Sequence, residues 1–155
     1  MWRRFWRTAG TLPFFTPVAR RLVRVDRWLG RRTRGRVVAL GMAPGLVLTT
    51  TGRKSGLPRS SPLLYLRDGD DLAIIGSNWG GPTEPQWVGN LLADPRAHVT
   101  VDGEELPVTA AETTGAEYDR LWQLIVTQWP GYQAYVRKAA GRPIRIFRLA
   151  VTRHP

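Results

Sequence analysis

The residues best suited to chemistry lie in one short stretch, Leu48-Thr-Thr-Thr-Gly-Arg-Lys-Ser-Gly-Leu-Pro-Arg59. A glycine turn lets successive backbone N–H groups converge on an anion. Arg53, Lys54 and Arg59 add whole charges and Ser55 adds a hydroxyl donor. That set suits a phosphate or carboxylate, and an arginine can grip either in a bidentate fork. It is not a Walker loop, because the Gly-x-x-x-x-Gly-Lys-Ser/Thr spacing is absent. Spacing alone leans to a solvated hairpin turn, a common place for basic residues. Other chemistry is sparse. The chain has no cysteine, which removes thiol nucleophiles, thiolate metal sites and disulfides. His98 and His154 have no patterned carboxylate partner, so no metal site is expected. Asp68, Asp70 and Asp71 read as turn residues bonding their own backbone.

The turn needs strands to hold it. Leu46 to Thr51 is rich in β-branched residues and predicts a strand, with Ser60 to Leu66 as its hairpin partner. Arg67-Asp68-Gly69-Asp70 is a tight turn into a third strand, Leu72 to Ser77. Trp79 to Glu84 is a loop. Pro85 to Ala93 predicts a short helix that stops before Pro95. Ala97 to Val101 and Glu105 to Ala111 form a hairpin across Asp102-Gly103. Thr114 with Glu117 has the spacing of a capping box and opens a helix with Tyr118, Leu121, Trp122 and Ile125 on one face. Trp129-Pro130-Gly131 interrupts it, Tyr132 to Ala140 is a further helical piece, and Ile144 to Val151 is a last strand. Six or seven strands, mostly in hairpins, with helices between them predict an antiparallel barrel with helical flanks.

The 155 residues suit one core, and the apolar fraction of 43% can fill it. The net charge of +11 is unevenly placed. Residues 1–36 carry eleven arginines against one acid, Asp26, whereas the remainder has twelve basic and eleven acidic residues. The division expected is therefore a basic N-terminal helical segment, 1–35, and a barrel domain, 36–155. Trp2, Phe5 and Trp6 among Arg3, Arg4 and Arg7 suit an interfacial helix on anionic lipid as well as they suit disorder. Val18, Leu22, Val25 and Leu29 make an apolar stripe that would cap the barrel. Confinement of the charge to this segment argues against a basic membrane- or nucleic-acid-binding adaptor as the primary role, and nucleic acid is not an expected partner. With no apolar run of membrane-spanning length and no signal-peptide pattern, a cytoplasmic protein is expected, peripheral at the inner face of the cell membrane if the segment binds lipid.

Taken in order, Leu48-Thr-Thr-Thr-Gly-Arg-Lys-Ser-Gly-x-Pro-Arg, Pro62-Leu63-x-Tyr65, Asp68-Gly69-Asp70, Ser77, Pro85-x-Trp87-x-x-Asn90-Leu91-x-Ala93-x-Pro95 and Tyr132-x-x-Tyr135 resemble the deazaflavin-dependent nitroreductase family over roughly residues 36–151. The resemblance implies a split β-barrel of the FMN-binding type, mainly β with flanking helices, and coenzyme F420 as cofactor. It implies that Lys54, Ser55 and Arg59, with Arg53, meet the coenzyme's phosphate and acidic tail. Tyr65, Ser77, Asn78, Gln86 and Trp87 match positions lining the coenzyme. Trp129, Tyr132 and Tyr135 match an aromatic trio on the substrate side, and Ser77, Tyr132 and Tyr135 are the candidates for catalysis. Two positions depart from the pattern. Asn78 stands where many members carry a basic or aromatic residue, and Trp129 replaces a tyrosine and its hydroxyl. The implied activity is hydride transfer from the reduced deazaflavin to a quinone, nitroaromatic or activated enone. The alternatives are a non-catalytic deazaflavin- or flavin-binding carrier and a basic membrane-surface adaptor.

Overall fold

The computed structural model of the protein describes residues 45–152. The N-terminal basic segment and His154 lie outside the described residues. Strand β1 (Gly45–Thr51) and β2 (Pro58–Leu64) form the expected hairpin around the glycine turn, in register from Gly45↔Leu64 to Thr51↔Pro58. The partner strand does not run through to Leu66 as expected. It breaks at Tyr65, and β3 (Leu66–Asp68) leaves to pair with β4 (Asp71–Ile75). Helix α1 (Gln86–Ala93), β5 (Arg96–Val101), β6 (Glu104–Glu112), α2 (Gly115–Gln128), α3 (Tyr132–Lys138) and β7 (Ile146–Val151) follow.

All seven strands make one antiparallel sheet in the order β2-β1-β5-β6-β7-β4-β3. Its two edge strands are consecutive in the chain, one residue apart, so the sheet has to curl until its edges meet at Tyr65. Alternation then sorts side chains to two faces. Leu46, Leu48, Leu72, Ile74, Val99, Val101, Phe147 and Leu149 point inside, where α1 adds Trp87, Val88 and Leu91. On the outer face of β4 and β7, Ala73, Ile75 and Ile146 are covered by Leu121 and Ile125 of α2 and by Tyr132 and Tyr135 of α3. Each such aliphatic side chain removed from water contributes about 1.5–3 kcal/mol.

Two expectations about polar residues change. Thr114 is the residue before α2, yet its side chain makes no capping bond. Glu117 reaches instead to Arg148 on β7, at 3.3 Å, and so cannot close the box. The acidic turn is also more than local backbone chemistry: Asp68 accepts both guanidinium nitrogens of Arg120, at 2.8 and 2.6 Å, and Asp71 faces Arg148. The Arg120 bonds hold the Asp68 carboxyl below its usual range. Arg120 thus fastens α2 to β3, and Arg148 on β7 links Asp71 of β4 to Glu117 of α2.

Candidate active site

The glycine turn is built by its backbone. Gly52 N–H donates to Leu57 O and Gly56 N–H to Gly52 O, at 2.8 and 2.7 Å. Gly56 has a φ of 68°, the left-handed region that favours glycine. A side chain at Gly52 would meet Ser55 Oγ at 2.7 Å. Ser55 Oγ accepts from Leu57 N–H and from Arg59 Nη2, which turns the Arg59 side chain back across the loop. Lys54, Ser55 and Arg59 are all exposed.

Arg53 has a different role from its two basic neighbours. Its guanidinium lies across α1, with Nη1 donating to the Gln86 carbonyl, Gln86 Oε1 and Asn90 Oδ1 at 3.2–3.3 Å. Gly89 makes room for it: a β-carbon there would fall 2.7 Å from Nη1. Asn90 also accepts Arg53 N–H at 3.1 Å and donates to Thr50 Oγ1 at 3.0 Å, deep in the core. Asn90 is thus the buried pivot between strand, turn and helix. The sequence marked it only as a motif position; its signal was an amide on the apolar face of α1.

The other face of α1 meets the end of β4. A β-carbon on Gly76 would touch Val88 Cγ2 at 3.0 Å and Trp87 Cη2 at 3.8 Å. So the basic turn and Ser77 lie on the same end of the barrel, on either side of one helix. Ser77 is buried beside the Tyr132 phenol. Burial pushes that phenol well above the ordinary tyrosine range, Tyr135 adds to the shift, and Ser77 opposes it. Burial raises Tyr135 as well. Both hydroxyls therefore stay protonated across the neutral range.

After Ser77 the chain makes a short 3-10 turn, Asn78–Gly80, in which Asn78, Trp79 and Gly80 have φ of 44°, 56° and 71°. Asn78 donates its amide to Thr83 O at 2.8 Å. The turn carries Trp79 onto Tyr135, ring centroids 6.3 Å apart and edge to face. Tyr135 meets Tyr132 at 5.4 Å and Tyr132 meets Trp129 at 6.2 Å, both edge to face. The expected trio is therefore a wall of four aromatics. Trp79 was read as part of a loop, and nothing in its local sequence signals the left-handed backbone that aims it.

Two expected coenzyme positions are buried in the inner core of the barrel. Trp87 is inside the barrel, 4% exposed, with its ring edge-on to Phe147 at 5.8 Å. Tyr65 is buried at the seam, beyond Leu64, the residue of β2 furthest from the glycine turn. Gln86 is exposed at the start of α1 and holds Arg53.

The curled antiparallel sheet, closed where its edges meet, is a split barrel, and the cationic glycine turn, the buried Ser77 and the aromatic wall all lie at one end of it. The model of the F420H(2)-dependent quinone reductase family matches residues 22–150. An F420H(2)-dependent quinone reductase of Mycobacterium tuberculosis is 34% identical over 129 residues, covering 81% of this chain and 87% of that one. A solved structure described as an F420-H2 dependent reductase, FDR-A, aligns with a TM-score of 0.63 at 36% identity, over 68% of this chain and 93% of its own. A second, described as a domain-swapped dimer, reaches a TM-score of 0.65 at 32% identity, over 86% and 98%. The chain belongs to the F420H(2)-dependent quinone reductase family. It is an oxidoreductase with coenzyme F420 as its cofactor. The family does not support the carrier or adaptor alternatives, and nitro reduction is no part of the names of these relatives.

The residues present fit that cofactor. Lys54 and Arg59 put two exposed charges on the turn, and their side chains form no ion pair with a carboxylate among the described residues. That leaves them to neutralise a phosphate or carboxylate.

Proposed function

We propose that Lys54, Ser55 and Arg59 hold the phosphate and acidic tail of coenzyme F420, and that a quinone is reduced against the wall of Trp79, Tyr135, Tyr132 and Trp129. The observation that carries this reading is α1 itself. Arg53 locks the turn to one side of the helix through Gln86 and Asn90, and Gly76 packs on the other, so a single rigid element relates the cationic turn to Ser77. When bound, the reduced coenzyme supplies a hydride. The protein's share is placement, charge and exclusion of water. Ser77 and the protonated Tyr132 and Tyr135 phenols are donors for an acceptor oxygen that gains charge as it is reduced. The four rings give a planar acceptor an apolar face. Tyr65 and Trp87 support the site from inside the barrel. Nitroaromatics and activated enones are further planar acceptors that this wall would take.

Titrating the protein with F420 and following tryptophan quenching tests the clamp. Lys54→Ala/Arg59→Ala should weaken binding by roughly 10²-fold, two charge-assisted contacts at about 1.5 kcal/mol each. Retained affinity would refute the assignment. Oxidation of the reduced coenzyme by menadione then reads turnover.

The basic–aromatic residues at the N-terminus add a second element to the proposal, an anionic membrane surface where lipid-soluble quinones reside. Among the described residues no helix is long and apolar enough to cross a membrane. Trp2→Ala/Phe5→Ala/Trp6→Ala should reduce pelleting with anionic liposomes. Equal pelleting of variant and parent would end the membrane reading.

A further inference from the structure

Beyond α3 the chain turns through Ala140 and Gly141, with φ of 52° and 84°, and delivers Arg142 beneath the Ser77 turn. Its guanidinium donates to four backbone carbonyls: Nη2 to Ser77 O at 2.8 Å, Nε to Gly81 O at 3.1 Å, and Nη1 to Gly76 O and Pro143 O at 3.2 Å each. Half-buried, it has no carboxylate among these acceptors.

Three of those carbonyls flank the stretch Asn78-Trp79-Gly80, where three successive residues are left-handed. Glycine enters that region freely and asparagine tolerates it, but a tryptophan there is a genuine outlier, kept only where its surroundings force it. The bonds Gly80 N–H to Ser77 O, Gly81 N–H to Asn78 O and Asn78 Nδ2 to Thr83 O are all internal to residues 77–83. They would survive if the whole turn hinged away from the barrel. Arg142 ties the turn across to the segment leading into β7, beside the Gly76 N–H to Arg145 O bond of 2.9 Å. A planar guanidinium can bridge Gly76, Ser77 and Gly81 at once because its donors are fixed in a fork; an ammonium is a point charge and cannot span them.

We propose that Arg142 is a positioning residue for the acceptor side of the active site. By holding carbonyls on both sides of the strained turn, it sets Ser77 against Tyr132 and Trp79 against Tyr135. That this is the acceptor side rests on the function proposed above; the positioning of the turn does not.

The test compares Arg142→Lys, which keeps the charge, and Arg142→Ala with the parent protein. Near-ultraviolet circular dichroism without coenzyme, taken as the difference between each protein and its Trp79→Phe form, reports the Trp79–Tyr135 contact, and thermal unfolding confirms that each variant folds. F420 affinity is read by tryptophan quenching, and kcat and KM with menadione. The expected result is an altered near-ultraviolet spectrum in both variants and a kcat lower by roughly tenfold or more, the scale of a misplaced group. F420 affinity should stay within about threefold, since Lys54 and Arg59 are untouched. Arg142→Lys restoring both spectrum and kcat would overturn the proposal in favour of a charge effect, and a parental spectrum in a folded Arg142→Ala would overturn it outright. Should Arg142→Ala fail to fold, Arg142→Lys decides alone by the same criteria. A Ser77→Ala variant with parental kcat would count against the assigned acceptor side, while the coenzyme-free spectrum would still judge Arg142.

Discussion

At the scale of the residue, desolvation makes Tyr132 useful. Its phenol sits in a buried setting that holds the proton more tightly than water does, Tyr135 adding to the effect and Ser77 opposing it. The same fact has a consequence for stability. Below about pH 10, the ordinary tyrosine value, the phenol is protonated in both the folded and unfolded chain, and its contribution to stability is fully present. Above that pH the unfolded chain ionises first, so the unfolded state binds fewer protons and stability falls as pH rises towards the folded value. Burial of Tyr135, and of Tyr118 with Asp119 nearby, acts in the same direction. The urea midpoint should decline above about pH 10, and less steeply in Tyr132→Phe. Identical slopes in the two proteins would show that Tyr132 is not held this way.

At the scale of the element, α1 does two jobs with two faces. Trp87, Val88 and Leu91 fill the barrel while Gln86, Gly89 and Asn90 receive Arg53. Gly89→Ala separates the jobs. An alanine favours the helix by about 1 kcal/mol, and its methyl group displaces a flexible guanidinium whose lost bonds cost about as much. The melting temperature should barely move, while F420 affinity falls because the turn has lost its side-chain tie to the helix and keeps only the Arg53 N–H bond to Asn90. An unchanged affinity in calorimetric titration would make the Arg53–α1 contact irrelevant to binding. Gly80→Ala contrasts with it: there a β-carbon meets the Tyr135 backbone at 3.0 Å on a left-handed residue, so the variant should lose stability outright.

At the scale of the whole molecule, closure of the barrel depends on one side chain at the seam. β2 and β3 are opposite edges of the sheet, and Tyr65 is the single residue between them, buried in the inner core. Truncation to alanine leaves a cavity where the edges meet and should cost about 3–5 kcal/mol, as for other large aromatics. Chemical denaturation measures this directly, and a loss below about 1 kcal/mol, the size of an ordinary surface change, would deny Tyr65 its role in closure. The solvent-facing pairs among α2, β3, β4 and β7 should contribute little by comparison, at most about 1 kcal/mol each.

The basic turn, the strands on either side of it, α1 and the paired tyrosines were legible in the sequence because each depends on local rules. Glycine permits the turn, alternation makes the strands, and a three-residue spacing puts Tyr132 and Tyr135 on one helical face. Ordered motifs over most of the chain were enough to indicate a deazaflavin barrel. Local rules fail where the decisive partner is distant in sequence. Glu117 abandons its cap for Arg148, and Arg53 leaves the cluster of basic residues to lie on Gly89. Trp79 accepts a strained backbone only because Arg142 and α3 hold the turn from more than fifty residues away. The sequence alone determined the cationic glycine turn and the motifs around it, because charge and glycine suffice to mark them. Tertiary structure alone decided the aromatic end, because buried hydroxyls, edge-on rings and a strained turn exist only once the sheet has curled and α3 has packed against it.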